Sequence, residues 1–254
     1  DIERLGQRRG RLSVVGLGPG AAEHMTPAVR RALDEAEDLL GYDTYVKMAG
    51  PLRADQCLHP SDNREELQRA AHAFELAATG RRVVMISSGD PGVFAMAAAV
   101  MEALESPQNE VWHGVELEVL PGVSAALATA AKAGAPLGHD FCAINLSDNL
   151  KPWSLIEKRL RLAAEADFAI AMYNPRSASR PEGFARTLEI LNDAGCGERI
   201  VIFARAVSTP DQQIETVELR DARPEMADMR TLVIVGNSAT RRVGRWVYAP
   251  RQVR

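Results

Sequence analysis

Short β-rich runs alternate with longer helical stretches along most of this chain, and most runs end in a loop that contains glycine or proline. RLSVVG (11–16), RRVVMIS (81–87), VELEVLPG (115–122), FCAINLS (141–147), FAIAMYN (168–174), RIVIFA (199–204), QIETVEL (213–219) and TLVIVG (231–236) read as strands. Helical patterns fill much of the space between them, over 26–40, 62–79, 92–104, 123–133, 152–165 and 181–194. Thr26 is placed to cap the first helix, with Pro27 at its first position, and Gly80 to close the second. Strands alternating with helices of this length form mostly parallel sheets covered by helices. The two late runs have little helix between them, which predicts a mixed second sheet. The alternation restarts after the Gly/Pro-rich break GAPLGHD (134–140). An α/β chain of two domains follows, 1–122 and 123–254, meeting near residues 120–140.

Composition narrows the function. The chain has 254 residues, with 30 Lys+Arg against 34 Asp+Glu. That mildly acidic balance argues against a dedicated nucleic-acid binder. No run of 18 apolar residues occurs, so no membrane span is expected. Cys57, Cys142 and Cys196 are far apart and form no C-x-x-C, so neither a disulfide framework nor a metal site is expected, and a cytoplasmic setting is. Residues 1–10 read as a polar tail, and the start at Asp1 leaves a processed terminus open. Of the basic residues 26 are Arg and four are Lys. Coding bias accounts for that, or a need for bidentate recognition of carboxylates or phosphates. Residues 1–172 carry 17 basic and 24 acidic side chains, and residues 173–254 carry 13 and 10. The basic excess lies in the later part, where a polycarboxylate would be attracted, although much of it is in the C-terminal tail.

In parallel sheets ligands bind beyond the carboxyl ends of the strands, so the loops after the strands are the informative ones. GLGPGAAEHMT (16–26) offers Gly16-x-Gly18-x-x-Ala21, a relaxed dinucleotide pattern. The best helix start comes five or six residues later, however, so no helix N-terminus meets a pyrophosphate. The turn lines a ligand or is a glycine turn alone. SSGDPGVF (87–94) places Asp90 between Gly89 and Gly92. Asp90 accepts from ribose hydroxyls or an amine, or caps the next helix. PGVSAALATAA (121–131) lets a flat ligand approach, or packs a tight helix. MYNPRSASRPEG (172–183) sets Arg176 and Arg180 on a Ser-rich loop, gripping carboxylates or solvated.

The ordered series GLGPGxxxxMT, GYDTY, SSGDPGVF, PGVSAALA, GHDFCAINLSD, MYNPRS and TLVIVGN, over about residues 11–248, resembles the tetrapyrrole methylases. The resemblance implies two α/β domains with an active-site cleft between them, S-adenosylmethionine as cofactor, a tetrapyrrole substrate and a homodimer. GYDTYV, SGDPGVF, PLGHDFCAINLSDNLKPW and YNPRS look most similar to the branch that methylates C17 of a precorrin and contracts the ring in cobalamin synthesis. By position, Pro19, Ser88, Gly89, Asp90, Val93, Phe94, Ser124, Ala125, Tyr173, Asn174 and Ala206 would line the cofactor site. Asp43 matches a position assigned as proton acceptor in uroporphyrinogen methylases, while their second assigned residue, a Lys, has no matching position and Lys47 is too close.

Methyl transfer needs mainly alignment. Ring contraction should need proton removal and donation, general acid–base work contributing roughly 10²–10⁴-fold per group. His139, with Asp140 adjacent, is the histidine candidate beside Asp43, and His24 in the first loop is the weaker one. A cobalt-containing substrate or another ring carbon is the near alternative. An NAD-linked oxidoreductase and a non-catalytic tetrapyrrole binder are the alternatives from other classes.

Overall fold

A computed structural model describes residues 9–61, 65–105 and 110–252. The expected polar tail lies outside the described residues except for Arg9 and Gly10. The chain divides into two compact units, Asp1–Ser124 and Ala125–Arg254.

The first unit is built from β1 (Arg11–Gly16), α1 (Pro27–Glu35), β2 (Asp38–Tyr42), α2 (Asp43–Met48), β3 (Cys57–Ser61), α3 (Glu66–Ala78), β4 (Arg82–Ser87), α4 (Met96–Leu104) and β5 (Glu116–Leu120). Its sheet has the order β3-β2-β4-β1-β5, and every pairing is parallel. Both faces are covered. Leu12, Val14, Leu40 and Met85 pack with Phe74 and Val100 of α3 and α4. Val15, Leu39, Val84 and Ile86 pack with Val29 and Leu33 of α1. Each such side chain, fully buried, is worth about 1.5–3 kcal/mol against exposure.

The connection from β1 leaves towards β2, and that from β4 leaves towards β5, although β1 and β4 are neighbours. Their C-terminal ends are therefore a topological switch point, the place where ligands of such sheets bind.

Thr26 Oγ1 accepts from Val29 N at 3.3 Å, with Pro27 next, so α1 starts where its signals predict. It stops early. The helix expected over 26–40 ends at Glu35, and Asp38–Tyr42 is a strand. Leu39 and Leu40 are both buried, on opposite faces of the sheet, and only a strand sends consecutive side chains to opposite faces. The third helix also starts later than Gly92. Phe94 has φ 54°, outside the helical region, and α4 opens at Met96.

The second unit contains α5 (Ala125–Ala133), β6 (Gly134–Ala135), β7 (Phe141–Asn145), α6 (Trp153–Glu165), β8 (Ala169–Tyr173), α7 (Gly183–Asp193), β9 (Ile200–Arg205), β10 (Gln213–Glu218), β11 (Thr231–Val235), β12 (Arg241–Val243) and β13 (Trp246–Tyr248). Its main sheet is mixed, in the order β10-β9-β11-β8-β7. β7 and β8 are parallel, and β11 runs antiparallel to both β8 and β9. One face packs Ile144, Ile170 and Phe203 against Leu160, Phe184 and Leu191 of α6 and α7. The other packs Ala171, Ile202 and Ile234 against Ala126 and Ala130 of α5. A small sheet, β12-β13-β6, takes up the break at Gly134.

Candidate functional site

In the first unit three strand-end loops meet at the switch point. Gly16 closes β1 opposite Ser87 of β4. Beyond it, Gly18 and Gly89 exchange both backbone hydrogen bonds, at 3.1 and 2.8 Å. The loop after β5 joins through Gly122. A Cβ there would fall 2.1 Å from Gly89 O and 2.6 Å from Gly16 O. A Cβ on Gly16 would fall 2.4 Å from Gly89 O. Only glycine allows this approach.

Asp90 fastens the junction. Its Oδ1 accepts from Gly92 N at 2.8 Å and its Oδ2 from Gly122 N at 3.1 Å. The carboxylate therefore holds two loops rather than capping α4. The cap-like contact comes from Ser87, whose Oγ accepts from Met96 N at 3.3 Å. Pro19, Ser88 and Val93 are half-buried around the junction, Ser124 is buried, and Phe94 is 48% exposed. Asp43 opens α2 directly after β2, the strand beside β4, and pairs with Lys47 one turn on. His24 lies in the loop after β1, and its Nδ1 is buried with no hydrogen-bond partner among the described residues. A separate cavity of about 360 Å³, lined by His59, Ser61, Gln68, Arg69 and His72, lies at the edge strand β3, away from the switch point.

The second unit gathers its candidates at the carboxyl ends of β7, β8 and β9. Tyr173 closes β8, and its hydroxyl accepts from Ala126 N at 3.2 Å, satisfying the first turn of α5, which begins at Ala125. Asn174 Nδ2 donates to Asn145 Oδ1 at 3.0 Å, and Ser147 N donates to the same oxygen at 2.9 Å. Ala206 follows β9 and donates its N–H to Arg230 O at 2.9 Å. Beside it Arg205 and Asp228 pair at 2.7 Å. Burial pushes the Asp228 carboxyl up, but hydrogen bonds from Arg205 and Thr231 outweigh it and hold it below its ordinary value. Arg180 folds back over Leu146 O and Asn174 O, while Arg176 is half-buried on the same loop.

His139 is not brought to these residues. It precedes β7, at the opposite end of the strand from Asn145, and its Nδ1 lies 3.7 Å from Asp140.

Five described non-glycine residues have a left-handed backbone: Phe94, Asp167, Asn174, Ala206 and Ser208. Three of them are sequence candidates in strand-end loops. Such strain persists where the surrounding structure over-determines it, often at ligand sites. Sequence reading missed the parts that depend on long-range contact: the Gly16–Gly89–Gly122 junction, Ser87 as a cap, and Asn145 and Lys151 behind β7. The NLSDNLK segment that holds the last two was the available signal. Among the described residues no group of His, Cys, Asp or Glu could hold a metal ion, and no helix is long and apolar enough to cross a membrane.

Comparison with known proteins agrees with this geometry. The family model for Tetrapyrrole (Corrin/Porphyrin) Methylases matches residues 11–223. A precorrin-3B C(17)-methyltransferase from Sinorhizobium sp is 52% identical over 95% of this chain and 96% of that protein. The probable cobalt-factor III C(17)-methyltransferase of Salmonella typhimurium is 39% identical over 90% and 93%. The cobalamin biosynthesis protein CobIJ of Mycobacterium tuberculosis is 46% identical, and this chain spans 47% of its length. The crystal structure of the methyltransferase CobJ superposes with a TM-score of 0.91 and 62% identity, covering 95% of this chain and all of that one. A parallel sheet with a glycine junction at its switch point, a mixed second sheet and these matches along most of the sequence agree: the chain belongs to the tetrapyrrole methylases.

Proposed function

We propose that this chain transfers a methyl group from S-adenosylmethionine to C17 of precorrin-3B, with ring contraction to precorrin-4 in cobalamin biosynthesis. The observation that carries this reading is the 52% identity, over nearly the whole of both chains, with the Sinorhizobium enzyme of that name. The relative named for cobalt-factor III is further away, at 39%, which favours the metal-free precursor.

The loops suit this methyl donor better than a dinucleotide. α1 begins at Pro27, eleven residues after Gly16, and its first turn is already capped by Thr26. Within the first loop only a three-residue 3₁₀ turn, Ala22–His24, follows Ala21, and no α-helix opens there for a pyrophosphate. What the loops offer is closely packed backbone and the exposed ring of Phe94, which suit a zwitterion carrying a flat base. Pro19, Ser88, Gly89, Asp90, Val93, Phe94 and Ser124 of the first unit hold the donor, as do Ala125, Tyr173, Asn174 and Ala206 of the second. Asp90 acts through the backbone it fastens, since both its oxygens already accept N–H groups. The donor supplies a methyl group on a sulfonium, a good leaving group, so the residues' main contribution is alignment.

Ring contraction adds proton transfer. Asp43 is half exposed at the carboxyl end of the parallel sheet, the edge at which ligands of such sheets bind. Its place favours it over His139 as the proton acceptor. Arg176 and Arg180 hold the substrate's carboxylates. We further propose a cytoplasmic homodimer. Calorimetry with S-adenosylhomocysteine and with NADH tests the cofactor: tight binding of the first alone is expected, and tight binding of NADH alone would reverse the reading.

A further inference from the structure

Several cations in the second unit have carboxylate partners. Arg161, Arg186, Arg199, Arg205 and Arg230 each lie in ion-pair contact with a carboxylate. Lys151 and Arg180 have no carboxylate partner among the described residues. They converge on one place. β7 and β8 end side by side at Asn145 and Tyr173, and Leu146 N donates to Tyr173 O at 2.9 Å. From the loop after β7, Lys151 Nζ reaches back to Ser147 O at 2.9 Å. From the loop after β8, Arg180 Nη1 lies 3.5 Å from Leu146 O and 3.4 Å from Asn174 O. Those Arg180 contacts are long for N–H···O bonds, which cluster near 2.9–3.0 Å. Arg180 Nε is buried and makes none among the described residues.

A guanidinium with a buried idle donor, beside an ammonium, is an arrangement that needs an anion. The neighbours confirm the sign of the field. Burial lowers the Lys151 pKa, the charges of Arg159 and Arg180 lower it further, and Asp148 alone opposes them. The loops are also set in place beforehand, because Asn145 Oδ1 ties Asn174 to Ser147.

We propose that Lys151 and Arg180 form one carboxylate seat, which takes a peripheral carboxylate of the tetrapyrrole. The inference rests on the function proposed above and adds Lys151, which lies in the NLSDNLK segment but is given no role there. Arg180 gives the planar fork, and Lys151 a point charge beside it.

Fluorescence titration with uroporphyrin III, a polycarboxylate tetrapyrrole, tests the seat without turnover. Lys151→Met should weaken binding about tenfold, as loss of a charge-assisted contact implies, and leave S-adenosylhomocysteine affinity unchanged. Lys151→Arg should restore it. Wild-type affinity should also fall as pH rises through a lysine pKa below the ordinary value of about 10.4, and Lys151→Arg should abolish that limb. A merely structural lysine would not move it. Lys158→Met, on the exposed face of α6, should change nothing. Unchanged binding in Lys151→Met overturns the seat, as does an Arg variant that behaves like the Met variant, or a wild type that does not bind. If the seat behaves as described but precorrin-3B is not methylated, the seat stands and the assigned reaction falls.

Discussion

Replacing Gly122 by alanine tests whether three strand-end loops share one backbone junction. The new Cβ would fall 2.1 Å from Gly89 O and 2.6 Å from Gly16 O. Close carbon–oxygen contacts lie at about 3.3–3.6 Å, so the loops must part by more than about 1 Å. Neither obstacle is a mobile side-chain end. Gly89 O already accepts from Gly18 N, and Gly122 N donates to Asp90, so any retreat loosens those bonds too. Overpacking of this kind costs about 1–3 kcal/mol, and weakening a hydrogen bond to a carboxylate adds about 1.5 kcal/mol. A loss of about 3 kcal/mol is expected in urea unfolding, with S-adenosylhomocysteine affinity at least tenfold weaker by calorimetry. Gly114→Ala is the control. Its Cβ would meet nothing within 4 Å, so its stability should stay within about 0.5 kcal/mol. A Gly122→Ala protein as stable as that control, with full affinity, would refute the junction.

Asp90→Ala removes the acceptor of two backbone N–H groups, so stability should fall by about 1–3 kcal/mol together with donor affinity; an affinity loss with no change in the urea midpoint would mean direct contact instead. Asp43→Asn should lower kcat about 100-fold or more while sparing S-adenosylhomocysteine binding, and an unchanged kcat in single-turnover assays removes Asp43 from proton transfer. At Asp38 burial pushes the carboxyl up, but hydrogen bonds from Arg81 and His59 outweigh it and leave its pKa below the ordinary value. Its stabilisation is therefore complete above the unfolded carboxyl pKa of about 3.9 and is lost as pH falls through the lower folded value. Urea midpoints at pH 7, 5 and 3 should fall more steeply in the wild type than in Asp38→Asn, and parallel slopes would contradict this.

Much of the fold was legible because burial periodicity and helix caps are local. Arg11–Gly16, Arg82–Ser87 and Thr231–Val235 are apolar runs buried on both faces, and Thr26-Pro27 marks a helix start within a few residues. The helix pattern over 26–40 overran β2 because Leu39 and Leu40 suit a helix until the sheet claims opposite faces for them. β3 escaped notice because CLHPS is a largely exposed edge strand containing Pro60, and proline is tolerated there but gives no strand signal. Of the site, the strand-end glycines were visible as a pattern. Their mutual contact was not, since Gly16 and Gly122 are brought together only by the pairing of β1 with β5. Asp90 was visible as a loop acid, but its two backbone partners lie in different loops.

Incubation of the protein with [methyl-¹³C]S-adenosylmethionine and precorrin-3B, followed by carbon NMR and mass spectrometry of the product, tests the central claim. A single labelled methyl at C17 of a ring-contracted tetrapyrrole is the expected result. A label at another ring carbon, or no transfer in the presence of bound donor, would contradict it.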